Sequence, residues 1–323
     1  MKYYFAPLEG ITGYTYRNVH HALFGGPDAY YAPFIQPKQT HELETREKKD
    51  IDPQNNQGIS LIPQIMANKV DLFLWACEEL RQRNYSVVNL NLGCPRQTIV
   101  SRHKGSGMLD NLENLKVFLD GIFEGSAKTG MRISIKTRLG TDNFDDALRM
   151  IEIFNQYPLD ELIIHPRTRR DMYQGRPNHD VFQACAEKTR HRICYNGNLF
   201  SKADYESWKE RFARYPQIHA VMPARGLIAN PALIREMKGG KAITKQELRL
   251  YHDELYRAYD ALQYGTSTLL HRMNELWFYL GCNFAGAEKL VHKIRKARNC
   301  VDYLAAVDRI FDTCDIGGHF EGR

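Results

Sequence analysis

The 323-residue sequence predicts an α/β protein, a (β/α)8 TIM barrel over residues 1–240 followed by a helical bundle over residues 241–323. Three observations predict it. Eight short apolar runs recur at a spacing of roughly thirty residues, most of the gaps carry helical periodicity, and the rhythm stops at Gly239-Gly240. An open doubly wound sheet is the competing arrangement of the same units. Eight units in about 240 residues, joined by right-handed crossovers, favour closure.

The runs are Lys2 to Leu8, Ala29 to Ile35, Ser60 to Ala67, Val87 to Cys94, Arg132 to Gly140, Glu161 to Thr168, Arg192 to Leu199 and Ala220 to Leu227. Between the third and fourth, Leu72, Trp75, Ala76, Glu79 and Leu80 mark a helix ended by Asn84. After the fifth, Phe144, Leu148, Ile151 and Phe154 fall on one face behind the capping-type Thr141-Asp142-Asn143. The second gap, residues 36–59, is polar and Pro/Gln/Asn-rich, so any helix there is short. Beyond residue 240, residues 245–263, 267–282 and 285–312 read as three amphipathic helices or more, broken near Tyr264-Gly265 and Gly281-Cys282-Asn283. Residues 313–323 read as a frayed tail.

Composition excludes some function classes. With 43% hydrophobic and 25% charged residues the chain is an ordinary globular protein. A formal charge of +6 and a pI near 8.8 permit an acidic partner such as nucleic acid without requiring one. Seven scattered cysteines with no C-x-x-C pair and no zinc spacing suit a reducing compartment and no metal. No signal-type segment and no apolar run long enough to span a bilayer is found, so the expectation is a cytoplasmic protein, a monomer, with no membrane association.

Function is signalled by how the runs end. Val87-Val88-Asn89-Leu90-Asn91-Leu92-Gly93-Cys94-Pro95 reads as a buried strand with a thiol at its tip, because Gly93 and Pro95 stop it. A lone cysteine is more often a small buried hydrophobe. Here its company changes the reading: Pro7-Leu8-Glu9, Gln64, Lys136 with Arg138, His165 with Arg167, Asn196-Gly197-Asn198 and Ala224-Arg225-Gly226 also close runs. In a barrel these ends converge on the catalytic C-terminal face. The last two turns leave backbone N–H groups open to an anion, and Arg225 adds a forked cation, which predicts a phosphate-bearing ligand.

Asn91-Leu-Gly-Cys94-Pro95, then Lys104-Gly105-Ser106-Gly107-Met108-Leu109, Ile135-Lys136-Thr137-Arg138, His165-Pro-Arg167-Thr168, Asn196-Gly197 and Arg225-Gly226 resemble the tRNA-dihydrouridine synthase family. Ala6-Pro7-Leu8-Glu9-Gly10 with Tyr16-Arg17 is similar to its opening motif. Leu8, Asn198 and Ala224 depart from the usual methionine, acidic residue and glycine. The resemblance implies an FMN-dependent barrel that reduces uridine in tRNA to 5,6-dihydrouridine with NADPH. It implies Cys94 as the acid for C5, Lys136 and Gln64 at the flavin pyrimidine edge, and Pro7, Leu8 and Glu9 under the isoalloxazine. His165 would hold carbonyls of flavin or substrate, while Asn91, Arg167 and Tyr173 would serve the uracil and the substrate mouth. Asn196, Gly197, Asn198, Ala224 and Arg225 would hold the phosphate end. An ordinary thiol is mostly protonated at neutral pH, which suits a proton donor.

The segment Lys289 to Arg298 carries five permanent cations and no acid. A charge run is usually a solvated face. With tRNA as substrate, Lys293, Arg295, Lys296 and Arg298 become candidate phosphate contacts. Two readings from other classes are kept open: a Schiff-base lyase on the same fold, using Lys136, and an RNA-binding protein without catalysis.

Overall fold

A computed structural model describes residues 1–318 and 320. The chain divides into two compact units. The first comprises Met1–Pro7, Asp28–Gly197 and Lys209–Met222, and the second Leu8–Pro27, Asn198–Trp208 and Pro223–Arg323.

The first unit contains a parallel sheet of β1 (Lys2–Phe5), β2 (Ala29–Tyr31), β3 (Leu61–Ile62), β4 (Gln64–Ile65), β5 (Val87–Leu92), β6 (Arg132–Arg138), β7 (Leu162–His165), β8 (Ile193–Tyr195) and β9 (Ile218–Val221). Its order is β3-β2-β1-β9-β8-β7-β6-β5-β4. β3 and β4 are the two halves of one run, parted at Pro63, which has no N–H to give the ladder. The Pro63 carbonyl still accepts from Asn89 N at 2.9 Å, and β3 pairs with β2 while β4 pairs with β5. The sheet therefore closes into the eight-stranded ring of a TIM barrel, as the eight runs predict.

Strand alternation separates two faces. Val88, Leu90 and Leu92 are fully buried on one, whereas Asn89, Asn91, Gln64, Ser134 and Lys136 share the other through the pairings Gln64↔Asn89, Asn89↔Ser134 and Asn91↔Lys136. Outward aliphatic side chains meet helices such as Val70–Arg81, where Leu72, Phe73, Ala76, Cys77 and Leu80 are buried. That helix ends before Asn84, which takes a left-handed φ of 65°.

Residues 36–59 hold a six-residue helix, Thr45–Asp50, and one 3-10 turn, in keeping with their polar composition. The helix after β6 differs from expectation. It spans Ala147–Phe154, with Ala147, Met150, Ile151 and Phe154 buried and Leu148 39% exposed. Asn143 is spent on a local turn, its Oδ1 accepting from Asp145 N at 3.1 Å, so the helix starts later and its face rotates.

In the second unit the long helices are Lys245–Asp260, Thr266–Leu280, Glu288–Lys296 and Cys300–Thr313. The expected third helix is two, because Asn299 caps a new start by accepting from Asp302 N at 2.8 Å. A buried relay binds three of them. Trp277 Nε1 donates to Tyr303 Oη at 2.9 Å, Tyr303 Oη lies 2.7 Å from His252 Nε2, and His252 Nδ1 lies 2.8 Å from Asp253 Oδ1. Burial lowers the His252 pKa, so the ring is neutral: its Nδ1–H donates to Asp253 and its Nε2 accepts from Tyr303. Of the expected tail, residues 319 and 321–323 lie outside the described residues; within the rest, Ile316 bridges Phe284 and Phe320 is buried.

The rotated face of Ala147–Phe154 makes a stability prediction. Met150→Ala should cost about 2–5 kcal/mol in urea unfolding. Leu148→Ala should change stability by no more than about 0.5 kcal/mol; equal losses at both positions would mean that the helix buries the other face.

Candidate active site

At the barrel's C-terminal edge the polar face of β4, β5 and β6 forms one hydrogen-bonded chain. Asn91 Oδ1 accepts from the N–H groups of Gly93 and Cys94, both at 3.0 Å. Those two donors fix the amide's orientation, so its Nδ2 must donate, and does so to Gln64 Oε1 at 2.6 Å. Gln64 Nε2 donates to Asn89 Oδ1 at 2.7 Å, Asn89 Nδ2 donates to Ser134 Oγ at 2.9 Å, and Ser134 Oγ donates to the Val88 carbonyl at 3.1 Å. Buried amides satisfied in series hold one arrangement, since any reversal faces like with like. Asn91 and Gln64, expected at the ligand, thus also hold the strand ends to the Cys94 turn.

The turn is gripped from its other side. Cys94 O accepts from Ser106 N at 3.1 Å and from Ser106 Oγ at 2.8 Å. Gly105 has φ of 56°, and a Cβ there would lie 2.9 Å from Cys94 O and 3.0 Å from Cys94 Cβ, so a side chain is excluded. The Cys94 side chain packs against Phe34, Met66 and Ile99. Ser106 and Gly105 are positioning residues that sequence reading carried only as part of a motif. The signal was a glycine in a run that ends facing the cysteine.

Lys136 follows Asn91 in register on the neighbouring strand. Its amine makes no hydrogen bond or ion pair among the described residues, and burial lowers its pKa to about 8, helped by the Arg138 charge and opposed by Cys194 and Cys94. Arg138 is tied to carbonyls: Nε donates to Gly93 O at 2.9 Å, and Nη1 to Thr168 O and Met172 O at 2.8 and 2.7 Å, and it also hydrogen-bonds the Tyr173 side chain. Sequence reading placed it beside Lys136 without a role. It ties the Cys94 turn to the loop after β7.

Arg167 is also committed. Its guanidinium donates to Gln174 O at 3.0 Å, Gly175 O at 2.6 Å and His165 Nε2 at 3.0 Å, and the side chain is buried. It shapes the loop from within, where sequence reading had it lining the mouth. Because a guanidinium only donates, His165 Nε2 accepts and its ring proton sits on Nδ1. Tyr173, on the same loop, is 49% exposed, with the Arg138 Cζ 5.3 Å from its ring centroid and the His165 ring at 6.2 Å. It is the residue of this group that meets solvent.

Asn196 is buried and donates from Nδ2 to Met222 O at 2.6 Å, joining the turns after β8 and β9 within the first unit. Gly197, beside it, closes the first unit's span, and Pro7 closes its opening segment. In the second unit, Asn198 precedes Leu199 and Phe200, against which the other turn closes. A Cβ on Gly226 would fall 2.1 Å from Leu199 O and 2.9 Å from Phe200 Cα. Ala224 turns the chain with φ −121° and ψ −97°, outside the main regions for an L-residue, and Arg225 is part-exposed. Leu8 starts a turn in which its N–H donates to Thr12 Oγ1 at 2.8 Å, with Glu9 following. No group of three or more His, Cys, Asp or Glu among the described residues could hold a metal ion.

The Lys136 ammonium is a cost that folding bears below about pH 8 and sheds as pH rises toward 10.5, where the unfolded chain also loses its proton. Lys136→Met should therefore be the more stable protein at pH 7, by on the order of 3 kcal/mol. The advantage should shrink through pH 8 to 10.5. Denaturant melts over a pH series check this, and a pH-independent difference would contradict it.

The sequence matches the family described as dihydrouridine synthase (Dus) over residues 4–301. A probable tRNA-dihydrouridine synthase of Staphylococcus aureus (strain COL) is 23% identical over 312 residues, covering 94% of this chain and 91% of that one. A tRNA-dihydrouridine synthase B of Shewanella oneidensis is 23% identical over 245 residues, covering 72% and 70%. Among solved structures, morphinone reductase superposes with a TM-score of 0.51 at 11% identity, covering 75% of this chain and 86% of that one. The old yellow enzyme homologue of Zymomonas mobilis gives 0.51 at 9% identity, covering 75% and 90%. These two share the fold. With the family matched over residues 4–301, the protein belongs to the dihydrouridine synthase family of flavin-dependent oxidoreductases.

Proposed function

We propose that the protein reduces specific uridines of tRNA to 5,6-dihydrouridine, with FMN as its flavin and NADPH as the electron donor. One observation carries the reading: a thiol held rigidly by its own backbone, Cys94, shares a barrel edge with a lysine amine, Lys136, that has no partner of its own among the described residues. The names of the Staphylococcus and Shewanella relatives agree with it. Bound flavin supplies the hydride that uracil C6 must receive.

The donor set suits that group. Lys136, a cation without a carboxylate, fits the electron-rich pyrimidine edge of a reduced flavin, and Gln64, part of the amide chain, is its neighbour in that role. Pro7, Leu8 and Glu9 would pack under the ring system. The backbone at Asn196, Gly197 and Asn198, with Ala224 and the Arg225 guanidinium, would hold the phosphate. His165, with its proton on Nδ1, offers a donor to a carbonyl. Asn91 acts chiefly by aiming Cys94, and Arg167 by shaping the loop that presents Tyr173 to the substrate.

Cys94 would deliver its proton to C5 of a uracil that receives the hydride at C6. The Cys94 side chain packs against Phe34, Met66 and Ile99 and interacts electrostatically with Lys136 and Arg138. A base stacked within tRNA cannot reach a thiol at a barrel mouth, so the nucleotide must be extruded, at a cost of a few kcal/mol that remote contacts offset. The helical residues 241–323 would supply them. In Glu288–Lys296, Ile294 is buried, while Lys289, His292, Lys293, Arg295 and Lys296 are exposed on an arc of about 160° away from it. Arg298 follows, also exposed. All seven cysteines are free and no described helix is long and apolar enough to cross a membrane, in keeping with a cytoplasmic protein, which we take to act as a monomer.

A lowered lysine pKa is also what a Schiff-base nucleophile requires. Borohydride trapping with a carbonyl substrate on a colourless preparation would favour that chemistry. A yellow protein whose FMN is released by denaturation would favour ours.

Cys94→Ala should keep FMN and NADPH-driven flavin reduction but slow uridine reduction by about 10²- to 10⁴-fold in single turnover. Undiminished tRNA reduction would remove the thiol from the chemistry. Neutralising Lys293, Arg295, Lys296 and Arg298 together should weaken tRNA binding and reduce its salt slope by up to roughly one unit for each phosphate no longer neutralised. An unchanged slope over a salt series would put the tRNA elsewhere.

A further inference from the structure

We propose that Lys104, with Arg102 and Lys69, forms a cation patch on the barrel rim that takes the phosphodiester backbone of RNA beside the extruded uridine. The inference rests on the proposed reduction of uridine in tRNA. It adds to that reading an RNA contact made by the barrel unit itself, apart from the cations of residues 289–298.

The patch is built on two neighbouring loops. β4 and β5 are paired strands, and Lys69 lies in the loop after β4 while Arg102 and Lys104 lie in the loop after β5. Asn68, beside Lys69, joins the two loops by donating from Nδ2 to Arg102 O at 3.0 Å. The segment bearing Lys104 is fastened to the thiol turn as well. Lys104 N donates to Ile99 O at 3.2 Å, and Ile99 packs on the Cys94 side chain. Gly105 and Ser106, next in the chain, are the pair that grips Cys94. His103 has a left-handed φ of 50° and Gly105 one of 56°, so Lys104 is set between two residues in that region. For a histidine this conformation costs on the order of 1 kcal/mol or more, and the surrounding bonds must hold it.

The charges of the patch repel one another. Lys69 and Arg102 are exposed, Lys104 is part-buried, and its amine makes no hydrogen bond or ion pair among the described residues. Burial, together with the Arg102 and Lys69 charges, holds the Lys104 pKa below its ordinary value, and Glu47 opposes them. Glu47 is itself engaged: its two carboxylate oxygens accept from Gln36 N and Glu44 N, both at 2.9 Å. Cations gathered in this way disfavour the folded chain and favour an anion that neutralises them. A uridine drawn from its stack brings its own phosphates with it. The strand entering at Cys94 then delivers negative charge to the loops that frame that turn.

Equilibrium binding of tRNA to the full chain over a salt series tests this. Lys104→Met keeps the stem and removes the charge. It should weaken tRNA binding about 10-fold and reduce the salt slope by roughly 0.7–0.9 unit. Arg102→Gln should lower the slope by a similar amount, and Lys104→Arg should restore most of the binding. Lys104→Met should at the same time be the more stable protein in urea at pH 7, because it removes a repelled amine. A lysine that only supports the fold would lose stability and binding together, and that result would overturn the inference. If Lys104→Met instead raises the KM for NADPH in flavin reduction and leaves tRNA binding as it was, the anion is the dinucleotide's phosphate and the inference is overturned. Failure of the unaltered protein to bind tRNA at all would remove the proposed function and this inference together. Normal binding by the unaltered protein, with the same slope in Lys104→Met and Arg102→Gln, overturns the inference alone.

Discussion

The hydrogen bonds that Asn91 makes are the constraint on which the rest of the site depends. Its oxygen collects the N–H groups of Gly93 and Cys94 and its nitrogen is committed to Gln64, so one side chain joins the turn bearing the thiol to the amide chain running through Asn89 to Ser134. Donor and acceptor alternate along this chain without a defect. A buried polar array of this kind adds little net stability for its size, yet reversing any amide leaves two like groups facing each other in a low-dielectric interior. Its contribution is directional: the thiol is held where the strand delivers it.

A second layer of control comes from arginines that never meet solvent. Arg138 and Arg167 spend donors on carbonyls of the loops following β5 and β7, and so tie the Cys94 turn to the loop after β7 and hold that loop in place. Lys136 is the opposite case. It carries its charge in a partly buried place with no counter-ion among the described residues, which disfavours folding. Strain of that kind is expected where a protein keeps a group ready for a ligand. Two arginines bonded to backbone carbonyls thus stand beside a lysine amine that makes no hydrogen bond or ion pair among the described residues.

In the second unit the same logic works with aromatic rings. The His252–Tyr303–Trp277 relay joins three helices at one buried point, and Phe200 and Phe320 hold Arg225. Both arrangements place a polar or charged group against rings, so that packing and orientation are settled together.

The barrel was legible in the sequence because a strand's period of two, read over eight runs ended by Gly, Pro or polar residues, is local information. So was the thiol at the tip of β5, since Gly93 and Pro95 stop the strand whatever surrounds it. Helix boundaries were less so: Asn143 could cap a helix or close a turn, and only its bond to Asp145 N decides, which moved the buried face from Leu148 to Met150. What a polar side chain bonds to is set by residues distant in the chain. Nothing near Arg167 distinguishes an arginine at a mouth from one that holds carbonyls, and nothing near Phe320 foretells that it meets Phe200 and Tyr279. By itself the sequence determined which strands form, where they stop and which residue types gather at their ends, because backbone sterics and side-chain period are local. Only the tertiary structure decided which partners within the protein those residues bond to, because that depends on segments brought together by ring closure.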